Sequence, residues 1–194
     1  MIRKYFTYIL FSMVFFLASV AHAEDYVIDT KGMHAFIQFK IKHLGYSWLL
    51  GRFNRFDGTF SFDKQNQKNN KVRVNIDVAS LDSNHAERDK HLRSKRFFDV
   101  RKYPRATFES TAYEDRGNGK GILQGKFTLR GVTKEITIDV QQIGAGKDPW
   151  GGYRRGFAGH TTLHLSDYQM AEGKILGPVA ENVELSLYVE GIRK

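Results

Sequence analysis

The sequence has no cysteine and only three prolines among its 194 residues. The absence of cysteine excludes a disulfide scaffold, an iron–sulfur cluster, a thiolate metal site and an enzyme with a cysteine nucleophile. The scarcity of proline, together with 15 phenylalanines and nine tyrosines, favours strands, because aromatic residues are enriched in them and proline is depleted. The length suits one domain with a small appendage. We therefore expect an aromatic-rich core without covalent cross-links.

Residues 1–23 have the three parts of a secretory signal peptide: a basic start, an apolar run at 9–20 and a small-residue cleavage pattern. An uncleaved membrane anchor is disfavoured, because the run is shorter than the roughly 20 residues that a spanning helix needs. We expect cleavage after Ala23, which leaves a single mature domain at 24–194. The sequence therefore predicts an exported protein that resides in the periplasm.

Alternation of apolar and polar residues predicts strands along the mature chain. Within residues 33–42, for example, Ile37, Phe39 and Ile41 share one parity, so one face of this strand is buried. The predicted strands lie at 33–42, 49–63, 72–78, 106–113, 122–130, 135–142, 156–165 and 183–192. Short strands separated by glycine- and asparagine-rich turns are typical of an antiparallel barrel or sandwich.

Two interruptions of this pattern are predicted. Asn54 and Arg55 mark a bulge or bend within the second strand. Residues 84–94 lack alternation and contain good helix formers, and Asn84 with Glu87 forms a capping-box pattern. The sequence thus predicts an all-β domain with one α-helical crossover of about 20 residues, which a proline ends.

Candidate catalytic and metal-binding groups are few, and no common catalytic or nucleotide-binding motif is present. His160 and His164 are four residues apart on a predicted strand, a spacing too long for an obvious metal pair. Arg88, Asp89 and His91 lie within one helical turn, but a solvated helix face with i,i+4 ion pairs explains them about as well as catalysis. We therefore expect neither an enzyme, nor a metal site, nor a cofactor.

The formal net charge is +9 for the whole sequence, and 28 basic face 21 acidic side chains after residue 23. These charges are dispersed along strands and loops, and the export signal separates the protein from nucleic acid, so we expect no nucleic-acid partner. Solvation of basic side chains at the protein surface explains most of their excess over acidic ones. Transient contact with an anionic membrane surface, or with a pyrophosphate group, is the weaker functional alternative. The oligomeric state, monomer or homodimer, stays open.

Short sequence blocks spread over nearly the whole mature chain carry a family resemblance. They lie at 43–48 (HLGYSW), 51–53, 56–58 (FDG), 84–94 (NHAERDKHLRS), 103–108, 129–134, 148–152 (DPWGG), 156–157 and 176–178 (LGP). With these blocks the chain resembles the YceI-like family of periplasmic, lipocalin-like polyisoprenoid-binding proteins, and within it the enterobacterial-type YceI subgroup. Many members carry RSDFG where this chain reads LSDYQ at 165–169, so any role of that arginine or glycine does not carry over.

The resemblance implies an eight-stranded antiparallel lipocalin-like barrel with the helix near one opening. It also implies an elongated apolar cavity for an isoprenoid lipid, such as a polyprenyl diphosphate or a quinone-related molecule. Burial of each CH₂ group of such a chain contributes about 0.8 kcal/mol, so a closed apolar interior suits it. We expect a non-catalytic carrier or store of this lipid. The alternatives are an enzyme that acts on the lipid, with His43, Asp89 and His91 as acid–base groups, and a partner-binding barrel with a filled interior.

Strand parity and the aromatic residues supply the candidate ligand-binding set. The set consists of Phe39, Ile41, His43, Tyr46, Trp48, Phe53, Phe56, Arg88, His91, Phe97, Phe98, Phe108 and Phe157. Parity places His43 at a strand end where the barrel opens, and Tyr46 and Trp48 directly after it are predicted to frame the mouth. Whether His43 contacts the ligand or only forms hydrogen bonds at the rim stays open. Arg88 and His91 either meet a phosphate or cap the barrel.

Overall fold

The structure is a computed structural model that describes residues 23–170 and 181–194. The predicted signal peptide therefore lies outside the described residues except for Ala23, and so does the 176–178 block. The strands are β1 (Glu24–Ile28), β2 (Phe36–His43), β3 (Ser47–Phe53), β4 (Phe56–Phe62), β5 (Lys71–Asp77), β6 (Leu81–Asp82), β7 (Arg105–Gly117), β8 (Lys120–Leu129), β9 (Val132–Lys147), β10 (Tyr153–His164) and β11 (Asn182–Arg193). Helix α1 spans Ala86–Arg93 and lies between β6 and β7.

The strands form one antiparallel sheet that closes into a barrel. The ring has the order β1-β4-β5-β7-β8-β9-β10-β11, and the pairing of β1 with β11 closes it. The remaining strands β2, β3 and β6 continue from β11, which pairs with β1 near one end and with β2 near the other. This architecture confirms the prediction of an eight-stranded antiparallel barrel with one helix.

Two parts of the strand prediction need correction. The predicted strand 49–63 is broken into β3 and β4, because the backbone N–H groups of Asn54 and Arg55 leave the ladder and donate to the carbonyl and the hydroxyl of Ser80, at 3.2 Å and 2.9 Å. This is the place where a bend was predicted. Strand β1 was missed, since only Tyr26 and Ile28 of its five residues are buried and the alternation is too short to stand out.

Strand parity decides which side chains face the interior. In β8 the residues Leu123, Phe127 and Leu129 are buried, whereas Gln124 and Lys126 between them are exposed. Such a pattern of period two places every second side chain inside the barrel. The interior is consequently built from one face of each strand, and the charged residues lie mostly on the outer face.

The N-cap of helix α1 is one residue later in the chain than the sequence predicted. His85 is the N-cap, and its ring nitrogen Nδ1 accepts from the backbone N–H of Arg88 at 3.1 Å. Asn84 instead has a φ of 61°, a left-handed conformation that asparagine tolerates better than most residues. The predicted capping box of Asn84 with Glu87 was therefore wrong, although the helix itself is where it was expected.

Polar side chains fix α1 against the segment around β6. The buried carboxylate of Asp89 accepts from the backbone N–H of Ser83 at 2.9 Å and from the Ser83 hydroxyl. Arg93 donates to the carbonyl oxygens of Ala79, at 2.9 Å, and Leu81. These bonds to residues 79–83 hold the helix beside one end of the barrel. Within 23–170 and 181–194, no helix combines the length and apolar character of a membrane span.

Close approach of the backbone to an aromatic ring makes Gly125 of β8 sensitive to substitution. A Cβ at this position would lie 2.5 Å from Phe108 Cζ and 2.6 Å from the carbonyl oxygen of Glu109. We expect Gly125→Ala to lower the free energy of unfolding by about 1–3 kcal/mol, because backbone or ring must shift. Urea unfolding followed by circular dichroism measures this change.

Gly144 of β9 provides the matched control, since a Cβ there has no neighbour within 4 Å. We expect Gly144→Ala to change the free energy of unfolding by no more than about 0.5 kcal/mol. Equal losses in the two variants would contradict the packing around Gly125.

Candidate functional site

The interior of the barrel contains two adjoining cavities. The larger, here called the mouth chamber, has a volume of about 370 Å³ and is bounded by β2, α1 and the segment after α1. The smaller, the inner chamber, has a volume of about 150 Å³ and lies among β4, β5, β7, β8 and β10. Both are lined by Ile37, Ile76, Phe127 and Leu185, so their walls are continuous. Together they form an elongated apolar space.

The polarity of the wall changes along this space. The described lining residues of the inner chamber include no charged side chain, and its polar groups belong to Ser61, Asn70, Tyr113 and Thr161. The mouth chamber, in contrast, is lined by His43, Arg88, His91 and Arg96 in addition to apolar residues. His43 and His91 are also solvent-exposed. The cavity therefore combines an uncharged inner part with a basic rim where water reaches it.

Eleven of the thirteen candidate residues line this cavity. The mouth chamber has Phe39, Ile41, His43, Phe53, Arg88, His91, Phe97 and Phe98, and the inner chamber has Phe56, Phe108 and Phe157. The parity argument for β2 placed its inward residues correctly. Whether these side chains contact a ligand stays a prediction.

Tyr46 and Trp48, which were predicted to frame the mouth, lie on the wall of neither chamber. Tyr46 is in the turn between β2 and β3 and is 87% exposed. Trp48 pairs in register with Lys42, which puts it on the outer face of the hairpin. The register keeps the inward parity of β2 in β3, since Ile41 pairs with Leu49 and both line the mouth chamber, so the even-numbered Trp48 faces outward.

The structure bears on the roles of the helix residues. Arg88 donates from Nε to the Ser83 hydroxyl at 2.8 Å and from a terminal nitrogen to the Ser83 carbonyl, which favours its capping role. The His91 ring contacts Phe97 edge to face, with 4.9 Å between centroids, and borders the mouth chamber. Asp89 is buried behind the helix, where Ser83 satisfies it, and lines neither chamber. The acid–base trio of the enzyme alternative is therefore not brought together.

Sequence reasoning missed several lining residues. Arg96 adds a cation to the rim, and Met170, Leu163 and Leu185 contribute to the apolar wall. The alternation in 183–192 could have revealed Leu185, since it shares the parity of the buried Val183. Arg96 follows the helix in an irregular turn, so no periodic signal predicts where its side chain lies.

A cluster of acidic and imidazole groups lies at the opposite end of the barrel. Ligand-type atoms of Asp29, His34 and Glu190 lie within 4.8 Å of one another. However, a terminal nitrogen of Arg154 donates to Asp29 Oδ2 at 2.7 Å and also to Glu190, so a guanidinium group already supplies the positive charge. Burial alone would raise the pKa of Asp29, but hydrogen bonds from His34, Arg154 and the backbone of Gly32 lower it to about 2. The cluster is an ion-pair network.

The two spaced histidines have separate partners on β11. His164 Nδ1 lies 2.6 Å from Asn182 Oδ1, and His160 Nδ1 lies 3.3 Å from the Ser186 hydroxyl. Both belong to the exposed outer face of the sheet. The two imidazoles thus share a face of β10, as the sequence predicted, and each lies beside a polar side chain of β11.

The chain is similar in sequence and in structure to several known proteins. Residues 26–191 match the family model of the YceI-like domain. Over 194 residues, which is 100% of both sequences, the chain is 53% identical to a UPF0312 protein of Pseudomonas aeruginosa strain LESB58. A YCEI protein of Campylobacter jejuni has a similar structure, with a TM-score of 0.71 and 32% identity over 79% of this chain and 90% of that one. A polyisoprenoid binding domain from Saccharophagus degradans shares the fold, with a TM-score of 0.62 and 15% identity over 87% and 98%.

The ion-pair network around Asp29 predicts a pH-dependent stability difference. Because the pKa of Asp29 falls from 3.8 to about 2 on folding, its stabilising effect is fully present above about pH 4 and is lost as the pH falls through 2. We expect Asp29→Asn to lower the free energy of unfolding by roughly 2 kcal/mol at pH 7. The difference from the unchanged protein should shrink between pH 4 and pH 2. Urea unfolding at pH 7, 4 and 2.5 measures it, and a constant difference would contradict the assignment.

Proposed function

Because the chain belongs to the family of YceI-like domains, we propose that it binds an isoprenoid lipid within the two chambers and carries or stores it in the periplasm. The prenyl chain lies in the inner chamber and in the apolar part of the mouth chamber. The head group, such as a diphosphate or a quinone-type ring, lies at the rim. The protein acts by binding and catalyses no reaction. The narrower assignment to the enterobacterial-type subgroup stays a prediction.

The observation that carries this proposal is the change in polarity along one continuous cavity. Methyl and methylene groups gain about 0.8 kcal/mol each when they leave water for an apolar wall such as that of the inner chamber. A charged head group gains nothing there and needs hydrogen-bond donors. His43, His91 and Arg96 provide such donors at the mouth chamber. A molecule with a long hydrocarbon chain and one anionic or polar end matches both parts of the wall.

The two alternative functions are less well supported. A filled, partner-binding barrel requires a packed lumen, whereas the chambers of about 370 Å³ and 150 Å³ leave room for a ligand. An enzyme that acts on the lipid requires its acid–base groups in one place, and Asp89 is separated from His43 and His91 by its burial against Ser83. Lipid binding explains both the apolar chambers and the basic groups at the mouth chamber.

A lumen-filling substitution tests the proposal without adding a charge to the core. Leu185 lines both chambers, so we expect Leu185→Trp to reduce retained lipid at least about tenfold by occupying the space where the prenyl chain would lie. Ser186, the next residue of β11, has the opposite parity and serves as the matched control. Ser186→Trp should leave retention unchanged. Native mass spectrometry of protein purified from its own host measures both the presence and the mass of the ligand.

The outcome that contradicts the proposal is equally direct. Full retention in Leu185→Trp would place the lipid outside the two chambers. Absence of any ligand of defined mass, in the unchanged protein as well, would remove the carrier function.

Export to the periplasm is part of the proposal, and the position of β1 supports it. Glu24, the first residue after the predicted cleavage position, is also the first residue of β1. Its carboxylate forms ion pairs with Arg193 at 2.8 Å and Arg155 at 3.2 Å. Cleavage after Ala23 would therefore leave the whole barrel intact.

Processing is tested by the mass of the protein in each cell fraction. We expect the periplasmic fraction of a Gram-negative host to contain a chain that begins at Glu24, because signal peptidase recognises the small residues before it. A variant that starts with Met followed by residues 24–194 should stay in the cytoplasm. N-terminal sequencing and intact mass measure the result, and recovery of the full-length chain in the membrane fraction would contradict it.

A further inference from the structure

The turn between β2 and β3 presents an apolar surface next to the mouth chamber. Leu44 and Tyr46 of this turn are 46% and 87% exposed, and Trp48 and Leu50 on the adjoining outer face of β3 are 45% and 62% exposed. Trp48 and Leu50 are two residues apart on one strand and point the same way. These four residues are called the hairpin patch below. Contiguous apolar groups of this size in water commonly mark a binding surface.

The backbone of the turn indicates that the leucine is not there for folding. Leu44 and Gly45 have φ values of 52° and 83°, and the backbone N–H of Tyr46 donates to the His43 carbonyl at 3.0 Å. When both central residues of a β-turn have positive φ, asparagine followed by glycine is favoured, as Asn118 and Gly119 show in the β7–β8 turn. A leucine at this position is strained and half-exposed. Such an outlier indicates a functional demand on the side chain.

Basic groups surround the hairpin patch. The Nζ atoms of Lys40 and Lys42 lie 4.3 Å and 5.5 Å from the Trp48 ring centroid, and Lys40 also pairs with Glu184 at 2.8 Å. The connection over residues 84–104 contains seven basic and three acidic residues. It borders the same mouth chamber as His43, the residue before the turn. The end of the barrel that carries the apolar tip is therefore also strongly basic.

We propose that the hairpin patch docks the barrel on an anionic lipid bilayer, with Leu44 and Tyr46 inserted among the head groups. Tryptophan and tyrosine favour this interfacial region, since the ring is apolar and its polar atom stays hydrated. Lysine and arginine are attracted by the negative surface potential of anionic lipids. His43 joins the patch to the mouth chamber, so docking brings the cavity against the membrane and a lipid passes between them without crossing water. The identity of the transferred lipid depends on the proposed function, whereas docking on the bilayer does not.

The second tryptophan gives an internal control at the opposite end of the barrel. Trp150 lies in the turn between β9 and β10 and is 78% exposed. Arg154, close to this turn, pairs with Ile192 of β11, whereas Ile41, which lines the mouth chamber, pairs with Val183. Ile192 and Val183 are at opposite ends of β11, so Trp150 is at the end of the barrel away from the mouth chamber. Because the sequence has two tryptophans, each can be made the sole fluorescent reporter.

Quenching by brominated lipids tests the orientation. The Trp150→Phe protein reports on Trp48 alone, and the Trp48→Phe protein reports on Trp150 alone. The probe is a vesicle of phosphatidylglycerol and phosphatidylcholine without isoprenoid lipid, compared with phosphatidylcholine alone. We expect Trp48 emission to shift to the blue and to be quenched on the anionic vesicles, whereas Trp150 emission stays unchanged. Binding should weaken as salt rises towards 1 M, because the Debye length falls to about 3 Å.

The substitution Leu44→Asn separates docking from folding. Asparagine suits a φ of 52° better than leucine, so the unfolding temperature should not fall. The partition coefficient onto anionic vesicles should fall about tenfold, because an inserted leucine is lost. Ile143 of β9 is 70% exposed, away from the hairpin patch, and Ile143→Thr is the matched control that should partition like the unchanged protein. Vesicle co-sedimentation measures both.

Unchanged partition of Leu44→Asn, or equal quenching of Trp48 and Trp150, would overturn the docking surface. The two proposals fail separately. If Trp48 docks on vesicles but native mass spectrometry finds no retained lipid, the docking surface stands and the carrier function is removed. Lipid retention without vesicle binding would remove the docking surface alone and leave a protein as the occupant of the hairpin patch.

Discussion

Closure of the sheet by β1 is the interaction on which the interior depends. This five-residue strand pairs with β4 along one edge and with β11 along the other, so the ring keeps its continuity through a single short element. Its Tyr26 is fully buried and stacks on Phe60, with 4.7 Å between ring centroids. Closure satisfies the backbone groups at both edges and lets the inward side chains enclose a cavity instead of a flat hydrophobic face.

The two ends of the closed barrel have different chemistry, which gives the cavity a direction. At one end the Arg154 guanidinium forms ion pairs with Asp29, Glu190 and Asp148, and these pairs link the end of β1 to β10 and β11. At the other end the basic groups of α1 and the following turn face the mouth chamber and the solvent. A ligand with an apolar tail and a polar head therefore has one favourable orientation, with its head towards the helix.

The parts of the structure that depend on local pattern were predictable, and those that depend on distant partners were not. The inward set Phe39, Ile41 and His43 follows from alternation alone, which also predicts an antiparallel barrel or sandwich, and the family resemblance selected the barrel. Tyr46 and Trp48 were assigned to the mouth from their closeness to His43 along the chain, whereas the register of the hairpin puts Trp48 opposite Lys42 on the outer face. The contact of Arg154 with Asp29 joins residues far apart in the sequence, so neither periodicity nor spacing predicts it.

The pairing of β1 with β11 also has a consequence for the order in which the molecule is assembled. Tyr26 lies opposite Arg193, so the first and the last strands of the barrel must meet before the ring can form. Contacts of such long range make folding slow, since the cost of loop closure is paid before the contact is gained. Because synthesis starts at the amino terminus, the ring of strands cannot close until β11 has emerged. The same topology that encloses the cavity thus keeps the nascent chain open for the duration of its synthesis.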